Sequence, residues 1–266
     1  MDKQYFTEYY NQEREHWWFR ARLEILDAII GKSCRAFSSP VGREPIILNA
    51  GIATGATSVM LEKHGSVTSL EYDSDCCEFV RDKLGISVVN ASLTELPFAD
   101  NFFDLICAFD VIEHIEDHEL ALQEIFRCLK PQGKVILTVP AFQFLWSEHD
   151  VINHHFRRYR LNEFVTLQQR AGFNMEYQTY FNGLLFAPIA AARLLTRLIN
   201  GPAKPANHTS QSSAKSDFER YKSGGLVNKA LFRMFRSEKN WLLRGGKFPV
   251  GVSILTVAHK DTTTHT

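Results

Sequence analysis

The stretch Ile46-Ile47-Leu48-Asn49-Ala50-Gly51-Ile52-Ala53-Thr54-Gly55 decides how the rest of the chain is read. A short apolar run, Ile46 to Leu48, ends in a turn of small residues, and a helix-capable stretch from Ala56 to Lys63 follows directly. That order describes a buried parallel strand feeding a tight turn and then a helix N-terminus. Gly51 and Gly55 can take backbone conformations closed to residues with a Cβ, so main-chain N–H groups in such a turn can approach a ligand closely. A second strand-like run, Val67-Thr68-Ser69-Leu70, ends in the carboxylate of Glu71, about twenty residues further on. In nucleotide-binding α/β folds an acid at that place accepts hydrogen bonds from ribose hydroxyls. The turn alone is weak evidence, because small residues also make ordinary strand-to-helix turns. Joined to Glu71, it points to an adenosine-containing cofactor.

Bulk properties narrow the classes. The chain has 266 residues, with 45% hydrophobic and 23% charged, as in an ordinary globular protein. Thirty basic and thirty acidic residues balance, so nothing global points to nucleic acid as a partner. The five cysteines, Cys34, Cys76, Cys77, Cys107 and Cys128, are odd in number and include no Cys-x-x-Cys pair. Neither a disulfide framework nor a metal site is expected, and a reducing cytoplasm fits. The first residues, polar and aromatic, do not read as a signal peptide. The most apolar run, Leu184 to Ala192, is too short to span a bilayer.

Upstream of the decisive stretch, residues 5–30 read as a helix or helix pair rich in aromatics, among them Trp17, Trp18 and Phe19. Amphipathic Trp and Tyr combine contact area with a polar handle, so residues 1–31 are expected to form a lid over a substrate pocket. The blander reading is that these aromatics dock the segment onto the main domain. Residues 31–45 read as a loop. From residue 46 onward strands and helices alternate, with strands at 46–50, 66–71, 86–89, 104–109 and 134–139 and helices at 56–64, 75–84, 117–129 and 161–171. Such alternation predicts an α/β fold with a parallel sheet covered on both faces, and ligands beyond the carboxyl ends of its strands. A sixth strand at 174–180, amphipathic helices at 184–199 and 226–243, a polar loop at 201–225 and a final strand at 251–258 complete the expectation. The division expected is 32–180 as core, 181–245 as helical cap and 246–266 as last strand and tail.

Downstream residues carry a family likeness. Leu96-Pro97-Phe98-Ala99-Asp100-Asn101-Phe102-Phe103-Asp104 resembles a segment of the class I S-adenosylmethionine-dependent methyltransferases. Asp110-Val111-Ile112-Glu113-His114-Ile115 and Glu124 to Gly133 resemble that family's next two signatures, and the order runs unbroken from residue 46 to about 140. A plain dinucleotide-dependent oxidoreductase would share the glycine turn and the acid but not this series. The likeness implies a Rossmann-like, seven-stranded, mostly parallel sheet with an antiparallel last strand. It implies S-adenosylmethionine as cofactor and S-adenosylhomocysteine as product. By position, Gly51, Ala53 and Gly55 would hold the methionine and ribose portion, with Asn49 at the cofactor's ammonium. Glu71, with Tyr72 beside it, would take the ribose hydroxyls. Ser92 and Leu93 would lie against the adenine, and Asp110 with Val111 near the transferable methyl. Asn49, Ala53 and Ser92 depart from the commonest pattern, where an acid, a glycine and an acid stand. They leave a catalytically silent scaffold or regulatory module as the alternative. The segments Glu15 to Arg22, Leu145 to Asp150 and His155 to Tyr159 resemble a bacterial subgroup associated with cell-surface glycan or lipid modification.

For methyl transfer to oxygen, a base must take the hydroxyl proton. His149, with Asp150 beside it to orient the imidazole, and His155 are the candidates. The basic cluster of Arg157, Arg158 and Tyr159 reads as an anion clamp, and His114, Trp146, Trp17 and Trp18 join it as substrate-contacting candidates. The acceptor expected is a small or lipid-linked molecule, most readily methylated at oxygen. Helices 184–199 and 226–243 have the apolar face and scattered cations of interfacial helices, which would place the protein peripherally at the inner face of a membrane. The oligomeric state is not legible.

Overall fold

The computed structural model describes residues 3–35, 43–201 and 225–261. Most of the loop expected at 201–225, and Ser38, Ser39, Pro40 and Gly42 of the loop expected at 31–45, lie outside them. Two helices open the described chain, α1 (Lys3–Glu15) and α2 (Trp17–Cys34). The alternating core follows as β1 (Ile46–Ala50), α3 (Ala56–Leu61), β2 (Ser66–Glu71), α4 (Ser74–Leu84), β3 (Val88–Asn90), β4 (Phe103–Phe109), α5 (His118–Cys128) and β5 (Leu129–Pro140). Then come α6 (Glu148–Ile152), α7 (Leu161–Arg170), β6 (Asn174–Phe181), α8 (Phe186–Asn200), α9 (Leu226–Leu243) and β7 (Ser253–His259).

The seven strands form one sheet in the order β3-β2-β1-β4-β5-β7-β6. β7 runs antiparallel to both its neighbours, and β1 pairs in parallel with β2 on one side and β4 on the other. The central strands are buried along their length, and alternate residues serve opposite faces. Leu48, Ile106, Val135 and Ile254 pack under α5 and α7, with Leu122, Ile125 and Phe164. Ile47, Leu105, Ile136 and Leu255 point the other way, into a cluster with Ala21, Ile25 and Leu26 of α2 and Phe235 and Leu242 of α9.

The second cluster draws on the N-terminal and C-terminal helices together. α2 and α9 form the covering layer of one sheet face, and the boundary placed at residue 31 falls inside α2. The chain goes from β1 outward to β3, then returns to lay β4 on the opposite side of β1. The crevice at the carboxyl ends of β1 and β4 is therefore a topological switch point, where open α/β sheets hold ligands.

Candidate active site

After β1 the backbone enters the left-handed region three times in five residues, at Gly51 (φ 79°), Ala53 (φ 48°) and Gly55 (φ 91°). The N–H groups of Gly51 and Ile52 both donate to the Leu70 carbonyl at the end of β2, 2.9 and 3.1 Å away. An added Cβ on Gly51 would stand 2.5 Å from Cγ2 of Val111, so the turn packs directly against the chain leaving β4. Glu71 locks the turn from the other side. Its Oε2 accepts from the Ala53 N–H at 3.3 Å, and its Oε1 accepts from the N–H groups of Tyr72 and Asp73 at 2.8 and 3.2 Å. A carboxylate has about four acceptor positions, so Glu71 keeps capacity for one more donor from the cavity it faces. Burial pushes its pKa above the usual carboxylate value, against those backbone donors. Beyond β3, the Ser92 and Thr94 hydroxyls hydrogen-bond each other at 2.7 Å, and both line the cavity with Leu93.

At the end of β4, Asp110 takes a positive φ of 58°, an uncommon conformation for a residue with a Cβ. Its carboxylate accepts from the Thr138 hydroxyl at 3.2 Å and pairs with the Arg22 guanidinium of α2 at 2.7 Å. Glu13 of α1 is buried beside the turn and accepts from the Thr54 hydroxyl. Burial raises its pKa. Neither Glu13 nor Arg22 was among the expected site residues. A signal existed, because Arg22 stands three, four and seven residues before the buried Ile25, Leu26 and Ile29. A charge on an apolar stripe needs a buried partner.

The segment after β5 differs most from expectation. His149 hydrogen-bonds with the Asn153 side chain (3.1 Å at Nδ1), while Asp150, next to it on α6, turns into the protein. Asp150 Oδ1 accepts from His155 Nδ1 at 2.8 Å, and the Arg158 Nε and Nη2 groups donate to its two oxygens at 2.8 and 2.9 Å. Burial alone would push the Asp150 pKa up, but the His155 hydrogen bond and the Arg158 guanidinium outweigh it and hold the carboxyl well below its usual range. The carboxylate–imidazole pair thus forms with His155 instead of His149. The expected anion clamp does not assemble. Arg158 is committed to Asp150 and the Ala141 carbonyl, and Arg157 donates to the carbonyls of Ile115 and Glu116. The Tyr159 hydroxyl bonds His118 Nδ1 at 2.8 Å.

One cavity of about 1580 Å³ joins these parts. Among the expected residues, its wall includes Gly51, Ala53, Glu71, Tyr72, Ser92, Leu93, Asp110 and Val111, then His114, Trp146, His149, His155 and Arg158, with Trp17 and Trp18 from α2. Asn49, Gly55, Asp150, Arg157 and Tyr159 do not reach it. Asn49 is fully buried, and its amide donates to the hydroxyls of Thr57 and Ser58 at 2.9 and 2.7 Å. Gly55 instead gives α3 its left-handed N-cap. Pockets for single small ligands run to about 1,000 Å³, so this one has room for a nucleotide-sized cofactor and a second molecule. His114 is open to the cavity, yet the protein packed around it, then the nearby His155, pushes its pKa below the usual histidine value.

Residues 48–137 match the family described as "Methyltransferase domain". A Mycolicibacterium smegmatis protein described as a probable S-adenosylmethionine-dependent methyltransferase is 29% identical over 166 residues, covering 61% of each chain. The Vibrio vulnificus ubiquinone/menaquinone biosynthesis C-methyltransferase UbiE is 29% identical over 115 residues, covering 40% of this chain and 44% of that one. The chain thus spans about six tenths, or less, of the length of these relatives. Among solved structures, a Haloferax volcanii protein in complex with the Trm112 methyltransferase activator superposes with a TM-score of 0.56 at 15% identity, over 99% of this chain and 97% of that one. Its likeness is one of fold. Residues 48–137 are thus similar to the methyltransferase-domain family, and the sheet order and the cavity at the switch point agree with that likeness.

Proposed function

We propose that the protein transfers a methyl group from S-adenosylmethionine to a small or lipid-linked acceptor, at oxygen. The observation that carries the reading is the continuity of one cavity from the Gly51–Glu71 corner, past Asp110, to a wall of histidines and tryptophans. When bound, the cofactor supplies an electrophilic sulfonium methyl, and the protein has to orient it and prepare the nucleophile. Glu71 would accept the ribose hydroxyls through the acceptor position its backbone bonds leave open. Ser92 and Leu93 would flank the adenine. Gly51 and Ala53 would keep the wall low enough for the methionine portion, with Asp110 beside it. Arg22 and Glu13 would close the site from the N-terminal helices. His149, on the acceptor side, would take the hydroxyl proton.

Two features support a lipid-linked acceptor. Ile189, Arg193 and Arg197 of α8 border the cavity, and the same helix exposes Leu194, Leu195, Leu198 and Ile199 to solvent. No described helix is long and apolar enough to cross a membrane. An apolar surface at the mouth would instead rest on an interface, peripherally. Because one relative is named as a C-methyltransferase, methylation at carbon is the second reading.

The test is calorimetric titration with S-adenosylmethionine and its demethylated product, followed by incubation with hydroxylated and carbon-acid acceptors. Micromolar binding is expected, and Glu71→Ala should weaken it about tenfold or more, as one lost charged hydrogen bond does. Mass spectrometry of the methylated product assigns oxygen or carbon. An absence of binding to either cofactor form would overturn the reading in favour of a non-catalytic scaffold.

A further inference from the structure

Glu113, His114 and His155 meet on the cavity wall, and one donor atom from each lies within 4.8 Å of the others. Glu113 is fully buried, yet neither of its carboxylate oxygens has a hydrogen-bond partner. A buried carboxylate normally has a donor or a cation, since desolvation without compensation is expensive. The nearest charged candidate is the His155 imidazole, whose Nε2 stands 4.0 Å from Glu113 Oε1, beyond hydrogen-bond reach. The structure therefore holds an acceptor with nothing to accept from and an imidazole nitrogen turned toward it.

His155 is also prepared for another role. Its Nδ1 is fixed on Asp150 Oδ1 at 2.8 Å, and Asp150 is fixed in turn by Arg158 and by the Ser147 N–H at 2.8 Å. A carboxylate holding the far nitrogen of an imidazole is the usual outer support of a metal-ligating histidine, because it sets the tautomer and raises ligand basicity. His114 stands beside this pair. Its ring is perpendicular to that of His155, with centroids 4.5 Å apart.

We infer that Glu113, His114 and His155 form a three-ligand site for a divalent transition-metal ion, zinc foremost, with a further coordination position open to the cavity. Two imidazoles and one carboxylate suit zinc and its neighbours, whereas magnesium and calcium prefer oxygen ligands. Three protein ligands with a vacant position are the pattern of reactive sites rather than structural ones. Zinc bonds of about 2.0–2.2 Å place tetrahedral ligands about 3.4 Å apart, so the donors would close by about an ångström. His114, which faces the open cavity, has room to make that movement. The open position would take an oxygen of the acceptor; that use rests on the methyltransferase reading, but metal binding itself does not. No local ligand spacing announces the site, because Glu113 and His114 follow β4 while His155 lies beyond α6.

The experiment is titration of the chelator-treated full chain with Co²⁺ and then Zn²⁺, in the absence of cofactor and acceptor. One equivalent of Co²⁺ should bind with the intense visible absorption of a low-coordinate site, and Zn²⁺ should displace it and raise the thermal midpoint. Glu113→Gln, which preserves shape, and His114→Asn, at the accessible ligand, should each weaken binding about tenfold or more. His118→Ala, a histidine on α5 outside the cluster, should bind as the wild type does. Failure of the wild type to bind Co²⁺ stoichiometrically would overturn the inference, as would wild-type affinity in either ligand variant. If Glu113→Gln does not fold, His114→Asn decides. Metal binding without S-adenosylmethionine binding would sink the methyltransferase reading alone, and the reverse result would sink the metal site alone.

Discussion

His16 sits between the first two helices and shows how much one side chain decides here. Its backbone N–H donates to Gln12 at 2.9 Å, and its Nδ1 accepts from the Trp18 N–H at 3.3 Å, so a histidine serves as the N-cap of α2. That bond needs Nδ1 unprotonated, and burial pushes the pKa down to about 4. The folded value lies below the unfolded one of about 6.5, so the unfolded chain takes up the proton first as pH falls. The contribution is complete above about pH 6.5 and disappears progressively down to about pH 4, amounting to about 3 kcal/mol at most. His16→Asn retains an acceptor at the cap and removes the titration. In urea melts, the variant should lose distinctly less stability than the wild type between these two pH values. Equal losses would show that His16 titrates normally.

At the scale of elements, α9 belongs to the layer that covers one face of the sheet. Phe235 is fully buried, 6.2 Å from the Trp17 ring and 5.9 Å from the Phe181 ring, and so ties α9 to α2 and β6 at once. The Asn228 side chain adds a polar tie, accepting from the Trp17 N–H at 3.0 Å. Phe235→Ala should cost about 3–5 kcal/mol, the usual cost of truncating a core aromatic, and lower the thermal midpoint by several degrees. A change under about 1 kcal/mol would mean that α9 is a loosely attached cap, as surface substitutions typically cost no more. α8 behaves differently. Leu198 and Ile199 are among the most exposed apolar side chains of the described residues, at 81% and 80%, so this helix lines the cavity with Ile189 and Arg193 and contributes little to the core.

For the whole molecule, the contacts of α1 and α2 with the cavity couple the N-terminal segment to whatever binds there. Phe6 packs on Phe79 of α4 at 5.7 Å, Glu13 meets Thr54, and Arg22 meets Asp110. Cofactor binding should therefore slow amide hydrogen exchange in α1 as well as at the glycine turn, read by mass spectrometry with and without S-adenosylhomocysteine. Protection at the turn but none in α1 would separate the lid from the site. The sequence by itself determined the sheet and the turn that joins β1 to α3 beside Glu71, because both rest on local patterns. Apolar runs of strand length, helices of matching period, the glycines at residues 51 and 55 and the acid at 71 all lie close together in the chain. The limits of β1 and of α9 agree with the residues read as strand and helix. Tertiary structure alone decided which polar side chains face the cavity. Asp150 stands next to His149 in sequence, but adjacent helical residues diverge by about 100°, and burial sends its carboxylate to His155 and Arg158. Arg157 and Arg158 read as an anion clamp, yet the carbonyls of Ile115 and Glu116 take Arg157, and the Ala141 carbonyl and the buried Asp150 carboxylate take Arg158. Asn49 turns inward to the hydroxyls of α3 for the same reason. Most buried polar groups find a partner, and the fold chooses it from the next turn or loop, five to nine residues away for Asp150 and Asn49 and about forty for Arg157, instead of from the neighbour in sequence.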